Sequence, residues 1–307
     1  MLPVRHPSRL GVLLAIGGAT LFSTKGILIK YTYAEGLSTI AVIALRMAFA
    51  LPFFVVIAAL AYRRKRQKLT RKDLIFIIVC GILSYYVATW LSFHGLHFVS
   101  VQLERLILFS YPAIVVLGVA ALNREWPHRR LAMATALTYG GIFLVFGQEL
   151  ELARSSTLGA SAVAFGAGLV FLSALAYAGY VILSQPLIAR LGSPLFTGLS
   201  MSVSSGAVMA HVLITTLPTG TLTGFAAAPQ AYIYALIIGT LGTVLPALML
   251  SEAVARIGAS RTAILSTTGP VATSFLAVSF LNEPFTAYHL SALAFCGIGV
   301  AMIVRKR

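Results

Sequence analysis

The feature that most constrains this chain is its succession of long apolar runs. A membrane-spanning helix needs about 20 mostly apolar residues. Runs of that length recur along the whole sequence and are separated by short charged or turn-forming breaks. We therefore predict an all-α integral membrane fold with ten transmembrane helices. The predicted spans are 9–31, 37–62, 73–95, 99–121, 129–147, 159–185, 194–216, 231–252, 259–280 and 286–304.

The charged residues support this class and give an orientation. Only 10% of the residues are charged, against about 25% in soluble domains. The net charge of +15 does not indicate nucleic-acid binding, because no basic face belongs to a soluble module. With a cytoplasmic N-terminus, 18 of the 23 Lys and Arg residues fall in predicted inner segments and two in outer ones. The positive-inside rule therefore predicts that both termini are cytoplasmic.

The two halves of the sequence resemble each other. When Pro112 is aligned with Pro270, the same offset aligns Glu125 with Glu283 and Gly141 with Gly299. The predicted repeats are residues 1–150 and 151–307, with five spans each. Because five is odd, the second repeat enters the membrane from the opposite side. Inverted repeats of this kind are typical of secondary transporters, which bind substrate near the bilayer midplane.

Short motifs then suggest a family. They are ALR at 44–46, LNRE at 122–125 and LNEP at 281–284. With ten spans in two five-helix repeats, the sequence resembles the EamA family of the drug/metabolite transporter (DMT) superfamily. The resemblance implies a multi-pass carrier in the bacterial cytoplasmic (inner) membrane that moves small metabolites such as amino acids. It also implies a central cavity lined mainly by spans 1, 3, 4, 6, 8 and 9. The FSTK segment at 22–25 departs from the family, because it adds a lysine.

Charged side chains inside or at the ends of spans are candidate site residues, because a charge in hydrocarbon is costly and marks function by default. We predict that Lys25 contacts substrate, since its span resembles one that lines the cavity. The predicted gating or ion-pair residues are Arg46, His94, Glu104 and Arg105. The surplus of positive charge favours an anionic substrate. Pairing of Lys25 with Glu104 stays open, as does proton transfer through Glu104.

Aromatic and hydroxyl side chains complete the predicted binding site. Several aromatic residues cluster in the middle of the spans assigned to the cavity, where they could stack on an apolar part of a substrate. The additional predicted substrate-binding residues are Tyr86, Trp90, Phe109, Tyr177, Tyr180 and Thr267. Pro112, Pro246 and Pro270 predict kinks in their helices. Glu125 and Glu283 are interpreted as caps of helix ends.

These observations predict a secondary transporter, an exporter or exchanger of a small organic metabolite such as an amino acid or related carboxylate. The expected partners are that small molecule and the lipid bilayer, and the chain acts as a monomer or homodimer. No nucleotide-binding loop is present and no metal-ligand spacing occurs, so no cofactor is expected. The alternative is an integral-membrane enzyme acting on lipid or a metabolite, with His94, Glu104 and Arg105 in a polar site at the outer face.

Overall fold

The computed structural model describes residues 9–65, 69–122, 124, 129–154, 159–216, 224–257, 262, 265–266 and 268–304. Within these residues the chain is helical and contains no strand. We number the helices α1 to α10. They are α1 (Arg9–Ala34), α2 (Thr39–Lys65), α3 (Arg71–Gly81, a π-helical turn over Ile82–Ala88, and Thr89–Gly95), α4 (Val101–Leu108 and Tyr111–Leu122), α5 (Arg129–Arg154), α6 (Gly159–Leu191), α7 (Ser193–Thr216), α8 (Pro229–Gly239, a π-helical turn over Thr240–Val244, and Leu245–Ile257), α9 (Thr268–Leu281) and α10 (Ala287–Val304).

Many of these helices have the length and hydropathy of membrane spans. Among the described residues, seven helices are long and apolar enough to cross a bilayer: Arg9–Ala34, Thr39–Arg64, Arg71–Gly95, Val101–Leu122, Gly159–Leu191, Ser193–Thr215 and Pro229–Leu250. Thr268–Leu281 and Ala287–Met302 are shorter apolar helices. The predicted class, an all-α multi-pass membrane protein, is therefore confirmed. The count of ten spans and their inverted arrangement stay predictions.

Local sequence explains where several helices begin and end. α3 starts with a capping box, in which the Thr70 hydroxyl accepts the Asp73 N–H and Asp73 accepts the Thr70 N–H. α4 begins after Ser100, whose hydroxyl accepts a backbone N–H of the first turn. α1 and α6 are followed by Gly36 (φ 100°) and Gly192 (φ 86°). These left-handed conformations end helices and suit glycine, which has no Cβ to clash.

Proline residues lie at the interruptions of α4 and α8. Pro112 follows the turn at 109–110, and Pro246 follows the π-helical turn Thr240–Val244. Proline has no N–H to donate and its ring clashes with the carbonyl four residues earlier, so the helix before it must adjust. Pro270 instead lies in the first turn of Thr268–Leu281. The N–H groups of a first helical turn have no acceptor within their own helix, so a proline there costs no helical hydrogen bond.

The helices form two compact units. The first draws on the ranges Met1–Ile27, Phe98–Ala167 and Leu241–Arg307, and the second on Leu28–His97 and Gly168–Thr240. Each unit takes helices from both predicted repeats. The division of the sequence at 150/151 stays a prediction.

In the first unit, α4 packs against α9 and α5 packs against α10. Gly141 of α5 lies against Ala292 of α10, and Gly299 of α10 lies against Ala134 of α5. A small apolar cluster joins the start of α1 to the end of α8 through Ala15, Ala253 and Ile257.

In the second unit, α7 packs against both α2 and α3. Gly198 of α7 lets that helix approach the backbone of α2 at Phe54 and Ala58. Near the same end of the unit, Asp73 at the start of α3 forms an ion pair with Arg190 at the end of α6.

Candidate functional site

Two cationic side chains of the first unit share one aromatic ring. Phe22 and Lys25 lie three residues apart on α1, which places them on the same helix face. The Lys25 Nζ atom lies 5.6 Å from the centre of the Phe22 ring. The Arg105 Cζ atom, from α4, lies 5.8 Å from the same ring centre. Phe22 therefore holds a lysine and an arginine in the same neighbourhood through its ring face.

The start of α9 forms the third side of this cluster. The Ser23 hydroxyl lies 2.8 Å from the carbonyl oxygens of both Ala19 and Gly269, so it can donate to either. A Cβ built at Gly269 would lie 3.5 Å from Arg105 Nη2. α1, α4 and α9 thus meet where Lys25 and Arg105 lie. All three correspond to spans that the family resemblance assigns to the cavity.

The two neighbouring charges of α4 have different surroundings. Glu104 is buried, with 3% of its surface exposed, whereas Arg105 is half-buried. Successive helix residues point about 100° apart, so Glu104 and Arg105 face different directions. Two half-buried cations beside an apolar ring form an arrangement that can bind a carboxylate and contact an apolar part of the same molecule.

A polar network holds the start of α4. Glu283, in the turn between α9 and α10, accepts the N–H groups of Val101 and Gln102 at 2.8 and 3.3 Å. Glu149 of α5 accepts the N–H and the hydroxyl of Ser100. The Gln102 side chain donates to the Pro284 carbonyl at 3.1 Å. Carboxylates at the start of a helix accept hydrogen bonds from its free N–H groups and interact favourably with the positive end of the helix dipole.

The interpretation of Glu283 as a cap is confirmed, while Glu125 lies outside the described residues. Arg105 lies one helical turn beyond the capped residues, so the network also positions Arg105.

Replacing Glu283 with alanine is expected to lower the free energy of unfolding by about 1–2 kcal/mol, the usual cost of losing a helix cap. For a chain of this size the unfolding temperature should fall by about 2–8 °C. Thermal unfolding in detergent measures the change. Glu252→Ala is the control, because Glu252 forms an exposed pair with Arg256 at 2.7 Å and such pairs contribute little. Equal stability of the two variants would show that Glu283 is not a cap of consequence.

The other predicted site residues that the structure describes lie in the second unit or beside the interruption of α4. Phe109 is half-buried in the turn that divides α4. The Arg46 guanidinium lies 5.4 Å from the centre of the Phe93 ring and is 4% exposed. Thr267 lies outside the described residues.

Trp90 and His94 belong to a row of stacked rings at the end of α3. The Trp90 and His94 rings are parallel, with centroids 5.1 Å apart. His94 meets His97 edge to face, and His97 stacks on Tyr33 at 4.0 Å. The Thr39 hydroxyl also hydrogen-bonds the His97 ring at 2.9 Å. These contacts support packing at a helix end more than they support proton transfer.

The π-helical turn of α3 contains Tyr85 and Tyr86, and both contact side chains of other helices. The Tyr86 hydroxyl hydrogen-bonds His211 Nδ1 at 2.7 Å. Tyr85 meets Tyr180 edge to face at 5.8 Å, and Tyr177 lies 5.6 Å from Tyr180. The Ser173 hydroxyl donates to the Ala88 carbonyl at the end of this turn. Single π-helical turns frequently mark functional sites, and the sequence shows no signal that predicts this one.

The structure therefore brings together two of the predicted charges, Lys25 and Arg105, and adds residues that the sequence-based prediction omits. The additions are Phe22, Ser23 and Gly269. The i, i+3 spacing of Phe22 and Lys25 is a signal that could have identified Phe22. The contact of Ser23 with Gly269 joins residues 246 positions apart, which no local pattern predicts.

The helices and the charges that they hold define the class of protein. Apolar helices long enough to cross a bilayer, with Lys25, Arg46 and Glu104 inside them, are typical of multi-pass membrane proteins that move polar solutes.

Comparison with known proteins identifies the family. The model of the EamA-like transporter family matches residues 9–147 and again residues 164–305. The chain therefore belongs to the EamA-like transporter family, within the DMT superfamily. It is 31% identical over 277 residues to a Bacillus subtilis (strain 168) protein named "Uncharacterized transporter YcbK", covering 89% of this chain and 86% of that protein. These matches favour a transporter over the membrane enzyme considered above.

A solved crystal structure is similar in fold. It aligns with a TM-score of 0.57 at 16% identity and covers 96% of both chains. At that identity the likeness concerns the fold alone.

Proposed function

We propose that this EamA-family transporter carries a small organic anion, such as an amino acid or a related carboxylate, across the bacterial cytoplasmic membrane. It works as an exporter or exchanger by alternating access, with both termini in the cytoplasm. The observation that carries the proposal is the pair of cations at Phe22. Lys25 Nζ and Arg105 Cζ both lie within 6 Å of one ring centre on helices of the first unit.

The chemistry of this pair supports an anionic substrate. Both cations lie within 6 Å of the centre of the Phe22 ring, and an anion bound beside that ring is attracted by both positive charges. Arginine offers a carboxylate two parallel N–H donors, and lysine adds a third donor as a point charge. The Phe22 ring offers an apolar surface for the rest of the molecule.

The helix ends support the predicted ten-span topology. In the first unit the starts of α4 and α10 and the end of α5 meet through Glu149–Ser100 and Gln148–Thr286. In the second unit Tyr33 at the end of α1 donates to the Phe93 carbonyl near the end of α3. The predicted orientation places all these ends on the outer side. The family model also matches twice, which supports two repeats.

The experiment is uptake into proteoliposomes loaded with one candidate solute and challenged with its chemical relatives. Each carboxylate is paired with the amide and with the decarboxylated amine of the same skeleton. We expect flux of at least one carboxylate and little or no flux of its amide. Preference for the neutral or cationic relative would contradict the anionic substrate. A lack of flux for every solute, together with turnover of a lipid, would favour the enzyme alternative.

A further inference from the structure

We infer that one end of the second unit binds the headgroup phosphate of an anionic phospholipid. This site is separate from substrate transport and does not rest on the function proposed above. The site is a group of exposed basic side chains that we call the basic cluster: Arg63, Arg64, Arg71, Lys72 and Arg190.

Packing places the members of the basic cluster at the same end of the unit. One apolar cluster contains Ala61 near the end of α2, Leu69 before α3, and Leu191 at the end of α6. Arg63 and Arg64 follow Ala61 by two and three residues, Arg71 follows Leu69 by two, and Arg190 precedes Leu191. Each basic residue is therefore within one helical turn of a residue that belongs to the shared cluster.

Within the part of the second unit that the structure describes, one acid at this end, Asp73, faces several basic side chains. Residues 63–72 contain seven Lys or Arg residues and no acid. The nearby acid is Asp73, which already accepts the Thr70 N–H and pairs with Arg190. A single carboxylate leaves a large surplus of positive charge. Guanidinium groups bind phosphate through two parallel hydrogen bonds, so a phosphate group suits this surplus of positive charge.

Apolar side chains beside the basic cluster indicate that the phosphate belongs to a lipid. Leu60 and Tyr62 on α2 are 55% and 47% exposed, and Leu74 and Ile75 on α3 are 46% and 60% exposed. On a membrane helix such surface faces acyl chains, and tyrosine lies at the level of the headgroups. A lipid can contact both surfaces at once, whereas free phosphate contacts only the charges. Basic residues next to a membrane helix attract anionic lipids in this way.

The test measures how phosphatidylglycerol stabilises the purified full chain in detergent, with phosphatidylcholine of the same acyl chains as the neutral reference. A lipid that binds only the folded protein raises its unfolding temperature. We expect phosphatidylglycerol to raise it more than phosphatidylcholine does. The variant Arg63→Gln/Arg64→Gln/Arg71→Gln/Lys72→Gln should raise the half-saturating concentration of phosphatidylglycerol by about 600-fold, at roughly fivefold per basic residue. Arg190 is kept because it pairs with Asp73.

The matched control removes the same number of exposed charges elsewhere, at Arg9, Arg129, Arg154 and Arg256, and should keep wild-type affinity. An equal loss in this control would show that net charge, not the basic cluster, attracts the lipid. The proposal also fails if the fourfold variant binds like wild type, or if inorganic phosphate at the same concentration reproduces the shift. Should the fourfold variant not fold, Arg63→Gln/Arg64→Gln must still weaken binding by about 25-fold.

Discussion

Replacing Lys25 with alanine is expected to lower the flux of the proposed anionic substrate at least about 25-fold, while the unfolding temperature stays close to that of the wild type. Lys25 and Arg105 both lie beside Phe22, so the variant leaves a bound anion with one cation instead of two. Losing one partner of a desolvated charge pair costs about 2–5 kcal/mol, and each 1.4 kcal/mol is about tenfold in affinity. Initial rates in proteoliposomes at subsaturating substrate measure the loss.

Two further variants separate substrate binding from a structural role of Lys25. Lys25→Arg keeps the charge and should retain part of the flux. If Lys25 instead neutralises Glu104, which is 3% exposed, Lys25→Ala should destabilise the protein by about 3–5 kcal/mol, the cost of a buried carboxylate left without its cation. Adding Glu104→Gln should then restore stability. A Lys25→Ala protein that unfolds early but transports normally would contradict the binding role.

The features that can be predicted from the sequence are those that depend on residues close together in the chain. The length of each apolar run predicts a membrane-spanning helix, so the sequence alone is enough to recognise a membrane protein. Glu283 can be assigned to a cap because a carboxylate in the turn after an apolar helix is available to free N–H groups. Glu252 and Arg256 are four residues apart, a spacing that favours an ion pair, and their charged atoms lie 2.7 Å apart.

The parts that do not follow depend on contacts between distant segments. Phe22 joins Lys25 to Arg105 because α1 and α4 pack together in the first unit, and no spacing in the sequence encodes that approach. Pro246 signals an irregular helix but does not say that the adjustment is a π-helical turn over Thr240–Val244. The π-helical turn in α3 contains no proline, so no residue in it signals the irregularity. Charge alone therefore identifies candidate site residues but does not predict which of them lie close together.

The second large expected effect is a loss of stability when α5 and α10 can no longer pack closely. An added Cβ at Gly141 would lie 2.9 Å from the Ala292 carbonyl oxygen, and one at Gly299 would lie 2.6 Å from the Ala134 carbonyl oxygen. Real Cβ atoms do not approach backbone atoms so closely, so each helix must move away from the other. We expect Gly141→Ala and Gly299→Ala each to lower the free energy of unfolding by about 1–3 kcal/mol, as overpacking does. Thermal unfolding should then occur about 2–12 °C earlier.

Neighbouring glycines on the same two helices provide the controls. A Cβ at Gly140 or at Gly297 would meet nothing within 4 Å among the residues that the structure describes. Alanine at these positions removes the helix penalty of glycine, so Gly140→Ala and Gly297→Ala should be neutral or stabilise by up to about 1 kcal/mol. The sign of the change should thus reverse between residues 140 and 141. If both substitutions on α5 had the same effect, the close approach of α5 to α10 would be wrong. If only the Gly141 and Gly299 variants lost stability, that approach would be supported at two aligned positions of the predicted repeats.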